Sequence, residues 1–174
     1  MNRWKRLAPA HTDPWRPWLV SRGSLTWRIR ARAGGFRVQV LRQAPRMPNA
    51  DEYERLKQPA RRLALVREVL LHAGGRPVVL AHSIAAWRDL SGTWRSLRGL
   101  GSRPLAEALF TDPLVRRELL EFARIDRRHP LWKRARAVLG CELPTLVARR
   151  SRFTRRGRAL LVTEVFLPDL VAFG

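Results

Sequence analysis

The chain has 174 residues, 45% of them hydrophobic, enough for one ordinary core and too many for a disordered polybasic tail. Its formal charge is +21, from 35 basic and 14 acidic residues; Lys5, Lys57 and Lys133 are the only lysines, leaving 32 arginines. No apolar run approaches the roughly 20 residues that span a bilayer, no apolar stretch follows the basic start, and Cys141 alone excludes an internal disulfide or a cysteine-rich zinc site. These features fit a cytoplasmic protein. The positive field would attract nucleic acid, anionic lipid and small dianions alike. An arginine-rich solvated surface accounts for it equally well, so charge alone decides nothing.

Up to Thr12 the segment is polar, contains proline and is expected to be loosely held, leaving one domain over 13–174. Asp13-Pro14 reads as an N-cap followed by proline, opening a short helix through Trp15, Trp18 and Leu19. Ser24 caps a second short helix with Leu25 and Ile29 on one face, ended by Gly34-Gly35. Phe36 to Arg42 alternates as a half-buried strand. Leu63 to Ala73 and Pro77 to Ile84 form a hairpin about Gly74-Gly75. Helices are expected over Ala86 to Leu97 and Pro104 to Phe110. The spacing over Leu114 to Ile125 suits a helix or a strand. Arg127 to Gly140 is a basic, poorly patterned insertion with room for one helical turn. Leu143 to Thr154 and Ala159 to Pro168 close the chain as a second hairpin about Arg156-Gly157. Neighbouring antiparallel strands with segregated helices argue for an α+β fold.

Two charges stand where an apolar face should be. Glu164 shares a strand face with Leu160, Val162 and Phe166, and the opposite face is apolar too, so the strand is expected to be central. Arg67 is flanked by Leu65, Val69 and Leu71. An isolated buried ion costs several kcal/mol, so each needs a partner. Counting back from the two turns places Arg67 opposite His82 and Glu164 opposite Arg149. Such pairs serve as structural bridges or as parts of a ligand site, and the residues alone leave both open. His11, His72, His82 and His129 show no metal-ligand spacing. The early tryptophans (Trp4, Trp15, Trp18, Trp27) fit helix packing better than base stacking. Arg149-Arg150-Ser151-Arg152 fits alternation in a strand as well as it fits a nucleic-acid patch.

Five segments, in order, resemble bacterial chorismate lyase over most of the chain: Gly23-Ser24-Leu25-Thr26, Val66-Arg67-Glu68-Val69-Leu70-Leu71, Leu100-Gly101-Ser102-Arg103-Pro104-Leu105 with Leu109-Phe110, Ala148-Arg149-Arg150-Ser151, and Leu160 to Pro168. The resemblance tips Leu114 to Ile125 towards strand. It implies a six-stranded antiparallel sheet with helices packed against it around an internal ligand cavity. It also implies cleavage of chorismate to 4-hydroxybenzoate and pyruvate without metal or cofactor, the first committed step towards ubiquinone, by a monomer needing neither nucleic acid nor membrane. By the same resemblance Arg67 binds a ligand carboxylate, Glu164 contacts the hydroxyl para to it, Leu109 meets the ligand through its backbone, and Leu25 lines the cavity. His82 stands where an arginine is common, Ala86 where a proline is common, and Val147 where a tryptophan is frequent. A protonated His82 facing Arg67 would replace the missing carboxylate clamp in part. The competing expectation is a non-catalytic effector-sensing module of the kind found in some transcription regulators.

Overall fold

The computed structural model describes residues 4–174, and its frame is one antiparallel sheet. In chain order the strands are β1 (Phe36–Arg46), β2 (Ala64–Ala73), β3 (Arg76–Ala86), β4 (Val115–Arg117), β5 (Glu121–Ile125), β6 (Leu146–Arg155) and β7 (Arg158–Phe166). They lie in the order β1-β2-β3-β7-β6-β4, with β5 also on β6. The helices are α1 (Arg16–Leu19), α2 (Leu25–Arg30), α3 (Tyr53–Leu56), α4 (Leu105–Thr111) and α5 (Pro130–Leu139), with 3-10 turns at Trp87–Ser91, Arg95–Gly99 and Pro168–Phe173. None of the described helices is long and apolar enough to cross a membrane.

The sheet has seven strands where six were expected, and the reason is local. β4 and β5 are two pieces of one edge: Arg117 pairs with Phe153 and Glu121 with Arg150, so three residues (118–120) face two (151–152). The extra residue breaks the ladder, as a bulge does. Leu114 to Ile125 is therefore an interrupted strand. β7 lies between β3 and β6 and is central, as the apolar pattern on both faces requires.

Both hairpins turn on residues with positive φ, Gly74 (53°) and Gly75 (80°) in the first, Arg156 (48°) and Gly157 (73°) in the second. This matches the twist of the flanking strands. The second hairpin keeps its register throughout, and Arg149 faces Glu164. The first does not. Leu71 pairs with Val79 but His72 with Pro77, leaving Val78 as an extra residue whose carbonyl instead accepts from Leu167 N (3.0 Å). Below this bulge the register moves by one, so Arg67 faces Ser83 and Glu68 faces His82. A one-residue slip sends a side chain to the other face, and the expected Arg67–His82 pair does not form.

The helices differ from expectation at their ends more than in their number. Ser24 caps α2, its Oγ accepting from Trp27 N at 3.2 Å. The first helix starts later than Asp13-Pro14, with Trp15 at its N-cap and Pro17 in its first turn. The helix expected over Ala86 to Leu97 is two separate 3-10 turns, broken by Gly92. Arg127 to Gly140 holds a ten-residue helix, where one turn was expected. His129 caps α5 by accepting from Leu131 N (3.2 Å), Pro130 opens it, Gly140 (φ 68°) ends it, and Leu131, Trp132 and Ala135 are buried. Within the segment expected to be loose, Lys5 pairs with Phe122 through two backbone hydrogen bonds, and Trp4 is buried with Arg150 stacked 4.3 Å from its ring centre.

Candidate active site

The alternation of β2, β3, β6 and β7 sends two sets of side chains to opposite faces of the sheet. On one face the register aligns Arg67, Ser83, Val162 and Ser151 in one row, and Val69, Ala81, Glu164 and Arg149 in the next. Thr26 of α2, Leu105, Ala106 and Leu109 of α4, Phe110, and Arg117 of β4 close over these rows. Together they line a small cavity. Its walls are mostly apolar. Its charged groups are Arg67, Arg117 and Glu164.

Arg67 is 3% exposed. Its Nη2 donates to the carbonyls of Gly101 (2.9 Å) and Arg103 (3.1 Å), in the loop that follows the second 3-10 turn. Its Nε is buried with no hydrogen-bond partner among the described residues, and no described carboxylate pairs with it. Loss of hydration pushes its pKa down to about 10. A buried guanidinium without a carboxylate beside it keeps its capacity to pair with an anion.

Glu164 carries its own counter-charge. Arg149 Nε lies 2.5 Å from Glu164 Oε2, and the arginine side chain is fully buried. Arg149 Nη1 also donates to the carbonyls of Trp18 (2.9 Å) and Ser21 (2.7 Å), so it ties the end of α1 to the carboxylate. Glu164 is thus both the structural partner of Arg149 and a residue of the cavity wall.

Of the residues expected at the site, Arg67, Leu109 and Glu164 line the cavity together. Leu25 is buried in the adjoining core with Val38, Val69 and Leu71, while its neighbour Thr26 reaches the cavity wall. His82 lies on the opposite face. Its Nε2 is 3.1 Å from Glu52 and its Nδ1 3.4 Å from Glu68, which also pairs with Arg134 of α5 (2.7 Å). Burial opposes its charge, but the two carboxylates outweigh burial and raise its pKa to about 9. His82 therefore sits within a structural ion cluster and not beside Arg67, a consequence of the bulge at Val78.

Arg117 was not anticipated. Its Nε donates to Ser151 Oγ (2.8 Å) and its Nη1 to the carbonyls of Arg22 (2.5 Å) and Gly23 (3.3 Å). Desolvation, partly offset by Glu164, holds its pKa down at about 10. Ser83 and Ser151 were likewise missed, although Ser151 shares strand parity with Arg149. Arg150 and Arg152 point to the other face, where they pair with Glu121 (2.7 Å), Asp51 (2.9 Å) and Glu118. The basic run in β6 is thus buried and internally neutralised, and offers no patch to nucleic acid.

The family profile for chorismate lyase matches residues 6–172. A Ralstonia nicotianae protein named probable chorismate pyruvate-lyase is 48% identical over 98% of this chain and 91% of its own length. An Azoarcus protein of the same name is 51% identical over 90% of this chain and 85% of its own. Among solved structures, the PhnF C-terminal domain aligns at a TM-score of 0.57 with 17% identity, over 76% of this chain and 83% of that one. The ligand-binding domain of a putative GntR-family regulator from Bordetella bronchiseptica aligns at 0.53 with 16% identity, over 79% and 85%. These distant likenesses concern the fold alone. With a profile spanning nearly every residue and relatives at about half identity, the chain belongs to the chorismate lyase family.

Proposed function

We propose that the chain is a chorismate pyruvate-lyase, converting chorismate to 4-hydroxybenzoate and pyruvate in the cavity that holds Arg67 and Glu164. The observation that carries this reading is the buried Arg67 guanidinium, which has no carboxylate partner among the described residues and faces a mostly apolar cavity that also holds Glu164, a carboxylate already paired with Arg149. The reaction removes the C4 hydrogen and breaks the C3–oxygen bond. The ring becomes a phenol carrying the original carboxylate, and the enolpyruvyl group leaves as pyruvate once it regains a proton. Atoms and electrons balance between substrate and the two products, so no oxidant or reductant enters.

Aromatisation supplies the driving force, and the protein's part is positioning and electrostatics. Arg67 anchors the ring carboxylate. Glu164, across the sheet on β7, accepts from the C4 hydroxyl and fixes which face of the ring it meets. The C4 hydrogen then passes to Glu164 or directly to the enolpyruvyl methylene. Leu109, Val69 and Val162 keep water from the ring. The product 4-hydroxybenzoate is the ring precursor of ubiquinone; a cytoplasmic location fits the composition, and the family resemblance favours a monomer.

The test is to mix the purified protein with chorismate, following 4-hydroxybenzoate by absorbance and pyruvate by a coupled assay. Both should appear together. Saturable binding of 4-hydroxybenzoate without turnover would instead identify an aromatic-acid sensor, and absence of both would refute the assignment of the cavity.

A further inference from the structure

The cavity holds one more positive charge than a monocarboxylate ligand needs. Glu164 is balanced by Arg149 through a 2.5 Å contact. That leaves Arg67 and Arg117, and no described carboxylate lies within ion-pair distance of either. Both are held by carbonyls and a hydroxyl, which fix a guanidinium in place without cancelling its charge. Arg117 keeps its Nη2 free of any protein acceptor among the described residues, and its Cζ lies 5.6 Å from the ring centres of Phe110 and Phe153. Two such charges in a mostly apolar enclosure call for two negative charges on the ligand.

Their placement gives the ligand's layout. The row Arg67, Ser83, Val162, Ser151 crosses β2, β3, β7 and β6. Three interstrand steps separate its ends, roughly 14 Å of backbone. Arg67 stands at one end, and Arg117, hydrogen-bonded to Ser151, stands at the other. Glu164 lies on β7 between them. Arg117 and Phe110 also line an outer groove with Arg22, Leu119 and Phe122, so this end of the cavity borders the protein surface.

We infer that Arg117 forms a second carboxylate subsite, which holds the enolpyruvyl carboxylate of the dianionic substrate while Arg67 holds the ring carboxylate. This rests on the lyase reading above and extends it. The subsite is empty when 4-hydroxybenzoate is bound, because that product has a single carboxylate. Arg117 therefore discriminates substrate from product. It also places the departing pyruvate at the end of the cavity nearest the groove.

The test compares dianion with monoanion in Arg117→Gln. Losing one charge-assisted contact should raise KM for chorismate roughly 10- to 100-fold, while the Kd of 4-hydroxybenzoate, measured by titration calorimetry, stays within about twofold. Arg67→Gln should weaken both ligands together. Arg117→Lys keeps the charge and should recover part of the chorismate affinity, and it serves as the informative variant if Arg117→Gln melts well below the wild type. Unchanged chorismate affinity in Arg117→Gln, or equal weakening of both ligands, overturns the inference. Should the wild type bind chorismate without cleaving it, the lyase reading fails. The subsite then stands or falls on whether Arg117→Gln weakens chorismate binding and spares 4-hydroxybenzoate.

Discussion

Replacing Arg149 with methionine tests the link between the buried ion pair and the cavity. The arginine side chain is fully buried and Glu164 is 16% exposed, so removing the guanidinium leaves a largely desolvated carboxylate without its partner. Breaking a buried pair on one side costs about 3–5 kcal/mol. The lower end applies if Glu164 swings towards Arg117, the remaining cation on its side of the cavity. The carbonyls of Trp18 and Ser21 also lose their donor. For a chain of this size, about 2–4 °C per kcal/mol gives a fall in Tm of about 6–20 °C. Urea unfolding of wild type, Arg149→Met, Glu164→Leu and the double variant closes a thermodynamic cycle. The double variant should recover at least about 2 kcal/mol relative to the sum of the singles, because an apolar replacement of a whole buried pair is often close to neutral. A loss below about 1 kcal/mol in Arg149→Met, or strict additivity, would refute the claim that this pair holds the wall of the cavity.

Other expectations concern the opposite face of the sheet. His82 has its pKa raised to about 9 in the folded chain against 6.5 for a free imidazole, so its stabilising contribution is complete below pH 6.5 and lost as pH rises through 9. Burial opposes the charge of Glu52 and Glu68, but protonated His82, helped at Glu68 by Arg134, keeps both below the usual carboxylate range, and Arg42 also faces Glu68. The wild type should lose roughly 3 kcal/mol of folding free energy from this group between pH 6 and pH 9.5, and His82→Gln should flatten that slope in urea titrations at the two pH values. Equal slopes would contradict the ion cluster. Trp132 is 7% exposed on α5 and donates its indole N–H to the carbonyl of Pro144 (2.8 Å). Trp132→Ala should destabilise by about 3–5 kcal/mol, read by thermal melts. A loss under about 1 kcal/mol would mean that α5 is not part of the core.

Part of the cavity lining was legible in the sequence, and part was not. Glu164 and Arg67 were conspicuous because each interrupted an apolar strand face, a signal set by the two-residue period of the sheet. The Glu164–Arg149 pair followed from counting, since the second hairpin has no bulge between turn and pair. The same counting misplaced His82, because Val78 interrupts the first hairpin and turns every later partner to the other face. No local residue preference announces that bulge: Val78 is an ordinary strand residue, and its carbonyl is satisfied by Leu167, 89 positions along the chain. Arg117 stayed hidden for a related reason. It lies just before the three-residue break at 118–120, where periodicity fails, and it looked like one more arginine among 32. The ten-residue α5 was legible in His129-Pro130 and Gly140, a cap, a first-turn proline and a terminal glycine. The basic residues along its exposed side masked the buried stripe of Leu131, Trp132 and Ala135.

A buried guanidinium with no carboxylate partner among the described residues is kept for the substrate and not for the fold. Arg67→Ala tests it most directly, with turnover of chorismate and Tm measured on the same preparation. Arg67 gives up two carbonyl hydrogen bonds but also a desolvated charge that no described carboxylate balances. The variant should show a Tm equal to or above the wild type's, with kcat/KM lowered at least about 100-fold. Unchanged kinetics would contradict it, and so would a large loss of stability with activity retained in the folded fraction.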